Sequence, residues 1–253
     1  MIFDTGCTPP IMVQDIHVGE NNLPVFFFDS EKKKSGLAIA KSIKSGSLIF
    51  ESIPCLFFGE SPRWTLLGVP VTRETHFVIG LPTIKGFRYC KFDQINNRVQ
   101  LSAKTVFTPK NIEDWVTYPF ELKGVHLLLD IPIEGIETTL MLDTGACMEL
   151  QLSDTSSEKL YEKREDFKKA WKFKTRLFVP HMNREVHALK FDAKHLMLGG
   201  HVLNKVKVFS APMIKDIAGY DGIIGMKLFK KTAMVLDFDK NLMWVKKTKG
   251  SLF

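Results

Sequence analysis

Two aspartates set in identical tripeptides are the residues of this chain best suited to chemistry. Asp4-Thr5-Gly6 follows Met1-Ile2-Phe3, and Asp143-Thr144-Gly145 follows Leu140-Met141-Leu142. Two carboxylates held a few ångströms apart cannot both ionise, so such a pair shares one proton over a broad pH range. The ionised member can take a proton from water as general base. The protonated member can donate to a carbonyl oxygen and stabilise the oxyanion that forms. The two pKa values would belong to the pair and not to either residue. The neighbouring residues fit the task. Glycine permits a tight backbone turn, and the threonine hydroxyl can hydrogen-bond across a twofold axis and lock two loops together. Such a site activates water without a metal or a nucleophilic side chain.

One Asp-Thr-Gly carries little weight, because all three residues are common turn formers. The surrounding sequence is repeated as well, which is the signature of an internal duplication. Downstream of the first triplet stands Val78-Ile79-Gly80, and downstream of the second Ile223-Ile224-Gly225. Past these glycines, Phe92-Asp93-Gln94 with Asn96-Asn97 resembles Phe238-Asp239-Lys240-Asn241, each leading into a β-rich run. The middles agree too: Ala40 to Gly46 parallels Ala193 to Gly199.

The elements that must position these triplets read mostly as strands. Val125 to Ile133 and Ile136 to Leu142 flank Glu134-Gly135, a short hairpin turn. Val25 to Phe28 and Gly36 to Ala40 flank a polar tip, as do Arg176 to Val179 and Val186 to Phe191. One helix is expected over Ser157 to Lys172, capped by Ser156 or Ser157, with Leu160, Phe167, Ala170 and Trp171 on one face. Shorter helical turns are expected at Leu81 to Lys85 and Met226 to Lys230. Pro109 and Asn111 interrupt the strand pattern, so the expected division is 1–110 and 111–253.

Composition narrows the remaining choices. The 253 residues are 45% apolar and 25% charged, enough for one large core or two ordinary ones, and disorder is not expected. The net charge of +7 is spread along the chain or sits in short runs such as Lys32-Lys33-Lys34, so nucleic acid is not expected as a partner. No apolar run approaches the ~20 residues that span a bilayer, and no membrane partner is expected. Cys7, Cys55, Cys90 and Cys147 include no C-x-x-C pair and the seven histidines no ligand-like cluster, so neither a metal nor a cofactor is expected. Disulfides stay open.

The two triplets with their aliphatic-glycine partners resemble the aspartyl protease superfamily, in two halves over essentially the whole chain. The halves are short and Ala146 follows the second triplet, which is similar to bacterial tandem, retropepsin-like members more than to pepsin. The resemblance implies a mostly β, two-lobe acid-protease fold and an aspartic endopeptidase acting on polypeptide as a monomer with an intramolecular pseudo-dimer. It implies Asp4 and Asp143 as the catalytic pair, Thr5 and Thr144 as a cross-lobe grip, and Gly6 and Gly145 as backbone donors to the carboxylates. Ile79-Gly80 and Ile224-Gly225 would pack beneath the catalytic loops. A flap closing over the dyad is expected from one of the polar tips, with Ser30 and Gly36 in the first half and His181 and Glu185 in the second. Cys7 stands where pepsins usually carry a hydroxyl, which implies a pH optimum nearer neutral.

The second triplet is led in by a full hairpin and the first by three residues, so the repeat leads one to expect a further ~15–25 residues of strand hairpin ahead of the first lobe. Relatives of this type are often exported, while Met1 to Pro10 show no secretion signal. The alternative is a non-catalytic peptide-binding module on the same scaffold, since fold does not fix function.

Overall fold

The computed structural model describes residues 2–14, 22–27, 35–45, 47–58, 65–66, 69–70, 77–162, 174–179, 184–210 and 219–248. The chain divides into two compact units, Met1–Gly86 and Phe87–Phe253.

The first unit holds β1 (Ile2–Asp4), β2 (Ile11–Gln14), β3 (Asn22–Phe27), β4 (Gly36–Ser45), β5 (Leu48–Phe58), a small pair β6 (Thr65–Leu66) and β7 (Val69–Pro70), then β8 (Phe77–Gly80) and one helical turn, α1 (Leu81–Ile84). Six of the strands form one sheet in the order β1-β8-β2-β5-β4-β3. Its buried side includes Ile11, Ala38, Ala40, Cys55, Phe57 and Ile79. Strands β4 and β5 alternate cleanly there, with Leu37 and Ile39 turned to solvent.

The second unit holds β9 (Tyr89–Asp93), β10 (Arg98–Ser102), β11 (Trp115–Pro119), β12 (Glu121–Lys123), β13 (His126–Ile133), β14 (Ile136–Asp143), β15 (Leu150–Leu152), α2 (Asp154–Glu162), β16 (Lys174–Val179), β17 (Arg184–Ala193), β18 (Leu196–Leu198), β19 (His201–Leu203), β20 (Val206–Ser210), β21 (Gly222–Gly225), β22 (Ala233–Asp237) and β23 (Leu242–Lys246). Its ten-stranded sheet contains the run β14-β21-β15-β20-β17-β16. That run repeats the sheet of the first unit strand for strand. Each sense agrees: β1–β8 and β14–β21 are parallel, β2–β8 and β15–β21 antiparallel, β2–β5 and β15–β20 parallel. Even a strained backbone position recurs. Ser52 at φ 52°, inside β5, and Lys205 at φ 60°, just before β20, occupy matching places, each preceding the residue paired to Ala40 or Ala193.

The hairpin expected around Glu134-Gly135 is present. Both turn residues have positive φ, 51° and 75°, as a two-residue turn matched to strand twist requires. The helical turns after the two glycines are present as α1 and as a 3₁₀ turn at Met226–Phe229. The longer helix begins earlier than expected, at Asp154. Its cap is Ser153, whose Oγ accepts from the Ser156 N–H at 3.1 Å, so Ser156 and Ser157 lie inside the first turn. Leu160 is buried as expected, whereas Phe167, Ala170 and Trp171 lie outside the described residues.

Strands β10-β9-β22-β23-β11 make a separate five-stranded sheet within the second unit. Here the repeat corrects the reading of the sequence. Asp93 accepts from the Asn96 N–H at 3.1 Å and Asp237 from the Lys240 N–H at 3.2 Å, closing equivalent turns before Asn97 and Asn241, both at positive φ. Asp93 therefore corresponds to Asp237, not to Asp239. With that alignment, β9 and β22 pair around a local twofold at Lys91 and Val235, Tyr89 facing Asp237 and Asp93 facing Ala233. Phe107 seals one face of this sheet, its ring edge-on to Tyr89, Trp115 and Trp244 at 5.3–5.6 Å. The division expected between 110 and 111 falls between β10 and β11, strands of this same sheet.

Candidate functional site

Each triplet loop is built from a strand that ends on its aspartate. In the first unit β1 runs parallel to β8, with Phe3 facing Ile79 and Asp4 facing Gly80. In the second, Leu142 faces Ile224 and Asp143 faces Gly225. The chain then turns sharply. Cys7 N–H donates to the Asp4 carbonyl at 3.2 Å, and Ala146 N–H to that of Asp143 at 3.2 Å.

The carboxylates are clamped by the turn that follows. Gly6 N–H donates to Asp4 Oδ1 at 2.8 Å, and Gly145 N–H to Asp143 Oδ1 at 2.8 Å. Ala146 N–H adds a second bond to Asp143 Oδ1 at 2.9 Å. Bonds from N–H to an ionised oxygen are stronger than neutral ones and fix its orientation. Both aspartates are half-buried, Thr5 is fully buried and Thr144 half-buried.

Beneath each loop lies the aliphatic-glycine element. Ile79 and Ile224 are wholly buried. The glycines are needed because the loop crosses directly over them. A Cβ on Gly80 would overlap the Pro9 carbonyl oxygen and stand 2.7 Å from that of Cys7. A Cβ on Gly225 would overlap the Met148 carbonyl oxygen and stand 2.9 Å from that of Ala146. The contact is held by matching bonds: Leu81 N–H to Cys7 O and Met226 N–H to Ala146 O, each 3.1 Å, with Gly80 N–H to Pro10 O at 2.9 Å and Gly225 N–H to Glu149 O at 3.1 Å.

Of the flap residues expected, Ser30 and His181 lie outside the described residues. Gly36 opens β4, between Phe27 and Phe57 in the ladder, and Glu185 pairs with Phe178 in the β16–β17 hairpin. The hairpins β3–β4 and β16–β17 occupy matching places in the two sheets. Among the described residues no three His, Cys, Asp or Glu side chains gather as a metal site, and no helix is long and apolar enough to cross a membrane. All four cysteines are free thiols, with Cys147 exposed. Burial pushes the Cys90 thiol well above its ordinary range.

Three side chains around β14, the strand that carries Asp143, escaped the sequence reading. Asp221 accepts from Ser156 Oγ at 2.8 Å and from the Thr139 N–H at 3.1 Å, tying α2 to the strand that carries Asp143. Tyr220 precedes it. Burial, then the charge of Asp143, raises the Tyr220 phenol above its usual value. His126 packs its ring edge-on against Tyr220 at 5.4 Å, and burial lowers its imidazole. Tyr220 and Asp221 are not repeated, since Thr75 and His76 stand at their positions in the first half. A search for duplicated residues passes over them.

Comparison with protein-family models gives no match, and comparison with curated proteins gives none. Among solved structures the chain is similar to basic 7S globulin from soybean, at 10% identity and a TM-score of 0.50, over 99% of this chain and 91% of that one. It is also similar to a retropepsin-like aspartic protease from Rickettsia conorii, at 19% identity and a TM-score of 0.39, over 52% of this chain and 89% of that one. The fold is the mostly β, aspartic-protease-like one, with few helices.

Proposed function

We propose that this chain is an aspartic endopeptidase in which Asp4 and Asp143 share one proton and activate a water against a peptide carbonyl. The observation that carries the reading is the matched construction of the two triplet loops. Each aspartate ends a strand paired to the buried glycine, and each has Oδ1 clamped by the N–H two residues on. In the proposed reaction the ionised carboxylate removes a proton from water. The protonated one donates to the scissile carbonyl, and the tetrahedral intermediate collapses with proton return to the amine. Thr5 and Thr144 lock the loops, the hairpins β3–β4 and β16–β17 are the flap candidates, and the substrate is extended polypeptide. Residues 1–110 and 111–253 are the two halves of the duplication, and the chain acts as a monomer.

The test is cleavage of an unfolded protein. Asp4→Asn and Asp143→Asn are each expected to lower kcat by roughly 10²–10⁴-fold while leaving the thermal melt near wild type. A chelator should change nothing. Full activity in either variant, or strong inhibition by a chelator, overturns the mechanism. The second reading, a peptide-binding module without catalysis, is favoured by the whole-chain likeness to a protein described as a globulin. It predicts peptide binding with no cleavage by the wild type.

A further inference from the structure

His126 and Asp143 are end residues of adjacent antiparallel strands. Leu128 pairs with Met141, and carrying that register two residues further sets His126 opposite Asp143. Residues so placed present their side chains to the same face of the sheet. On that face the imidazole meets the Tyr220 ring, 5.4 Å away with the planes at 72°. Tyr220 is followed by an anchored neighbour: the Asp221 N–H donates to the Thr139 carbonyl, and the Asp221 carboxylate accepts from the Thr139 N–H and the Ser156 hydroxyl. All three of His126, Tyr220 and Asp143 are half-buried, so the corner they form is fixed yet open to solvent.

We propose that His126 is a charge-selecting residue for the substrate, reading the side chain that lies beside the scissile bond on the Asp143 side. The inference rests on the peptidase reading above. With the imidazole neutral, His126 and Tyr220 present an uncharged aromatic corner. With it protonated, the corner carries a cation that attracts a substrate carboxylate. The titratable groups around it are Lys123, its partner on β12, Asp143 on β14, and Tyr220 with Asp221 leading into β21. Burial favours the neutral ring, so the change falls on the acid side of the ordinary value of 6.5.

The experiment compares matched peptides that differ only by Glu or Gln next to the cleaved bond, at about pH 7.5 and about pH 5, where a peptide glutamate is still mostly ionised. In wild type the Glu-to-Gln ratio of kcat/KM should rise roughly three- to tenfold on acidification, the size of a partly screened charge pair. In His126→Phe, which keeps a ring against Tyr220, the ratio should stay flat. A rise of the same size in His126→Phe, or none in wild type, overturns the proposal. If wild type cleaves neither peptide, the peptidase reading fails by itself. The corner is then judged by the imidazole resonance that His126→Phe removes. Its shift at about pH 5 on adding the Glu peptide but not the Gln peptide supports the assignment, and an equal response to both refutes it.

Discussion

The loop after β1 and the loop after β14 share a backbone plan and differ in what surrounds it. Asp143 Oδ1 receives two N–H donors and Asp4 Oδ1 one from the turn. The fourth residue is buried Cys7 in one, its sulfur 3.4 Å from that of Met12, and the smaller Ala146 in the other. Strand β14 is paired on both sides, by β13 and β21, while β1 among the described residues is paired only to β8. Interior strands lose fewer backbone bonds to fraying than edge strands do. Duplication has preserved the geometry that aims each carboxylate, and the supports behind it have diverged.

The largest expected effect tests what the loops share. Gly80→Ala and Gly225→Ala each drive a methyl group into a carbonyl oxygen, that of Pro9 or of Met148, in a loop whose neighbouring carbonyls are held by hydrogen bonds. Each should cost more than about 3 kcal/mol or prevent folding, as strain and lost packing do at a site with no room to relax. Chemical denaturation measures it. A mild effect at Gly80 beside a severe one at Gly225 would show that the first loop yields where the second cannot.

Much of this plan is legible in the residues. The triplets, the aliphatic-glycine pairs and the Glu134-Gly135 turn are local signals written in short stretches, and local strain demands particular residue types there. The start of α2 is not legible because Ser153, Asp154, Thr155, Ser156 and Ser157 stand in a row and each is a candidate cap. The bond from the Ser156 N–H to Ser153 Oγ decides between them. Phe238-Asp239 matches Phe92-Asp93 by letter, whereas the equivalence of the two hairpins depends on which carboxylate closes the turn. His126 and Tyr220 are 94 positions apart in sequence and meet only through β13, β14 and β21, so no local pattern announces them.

The next effect tests a support found in the second unit. Asp221 holds Ser156 of α2 and the backbone of β14 together through one carboxylate. Asp221→Ala should cost about 1–3 kcal/mol, because it strands a partly buried hydroxyl and a strand N–H. Denaturant melts of this variant beside wild type measure the loss. Asp221→Asn, which keeps one acceptor oxygen, should recover part of it. Equal losses in the two variants would mean that the charge itself matters and not the bonding.

A smaller loss is expected at the helix cap. Ser153→Ala removes the Oγ that accepts from the Ser156 N–H and donates to Ser156 Oγ at 2.8 Å. The cost should be about 1 kcal/mol, read from thermal or denaturant melts, with Ser153→Asp recovering most of it at neutral pH. Since Ser156 is also the donor to Asp221, the double variant Ser153→Ala/Asp221→Ala should cost less than the sum of the single changes. Simple additivity would separate the cap from the carboxylate network.

The smallest effect concerns pH. Burial disfavours the charged form of His126, so its folded value lies below its unfolded one near 6.5. Between those values the unfolded chain binds more protons than the folded one, and stability must fall as pH falls. The contribution of His126 is therefore intact above about 6.5 and is lost as pH drops through the lower, folded value. The ring is partly exposed, so solvent screening limits the loss to a few tenths of a kcal/mol. Denaturant midpoints of wild type and His126→Gln, taken in small steps from about pH 7.5 to about pH 5, isolate it, because the carboxylates common to both chains cancel in the difference. The difference should be constant above about 6.5 and should move in favour of the glutamine variant below it. Movement the other way would mean that the charge of Asp143 outweighs desolvation at this ring. The second aspartate would then have a cationic partner.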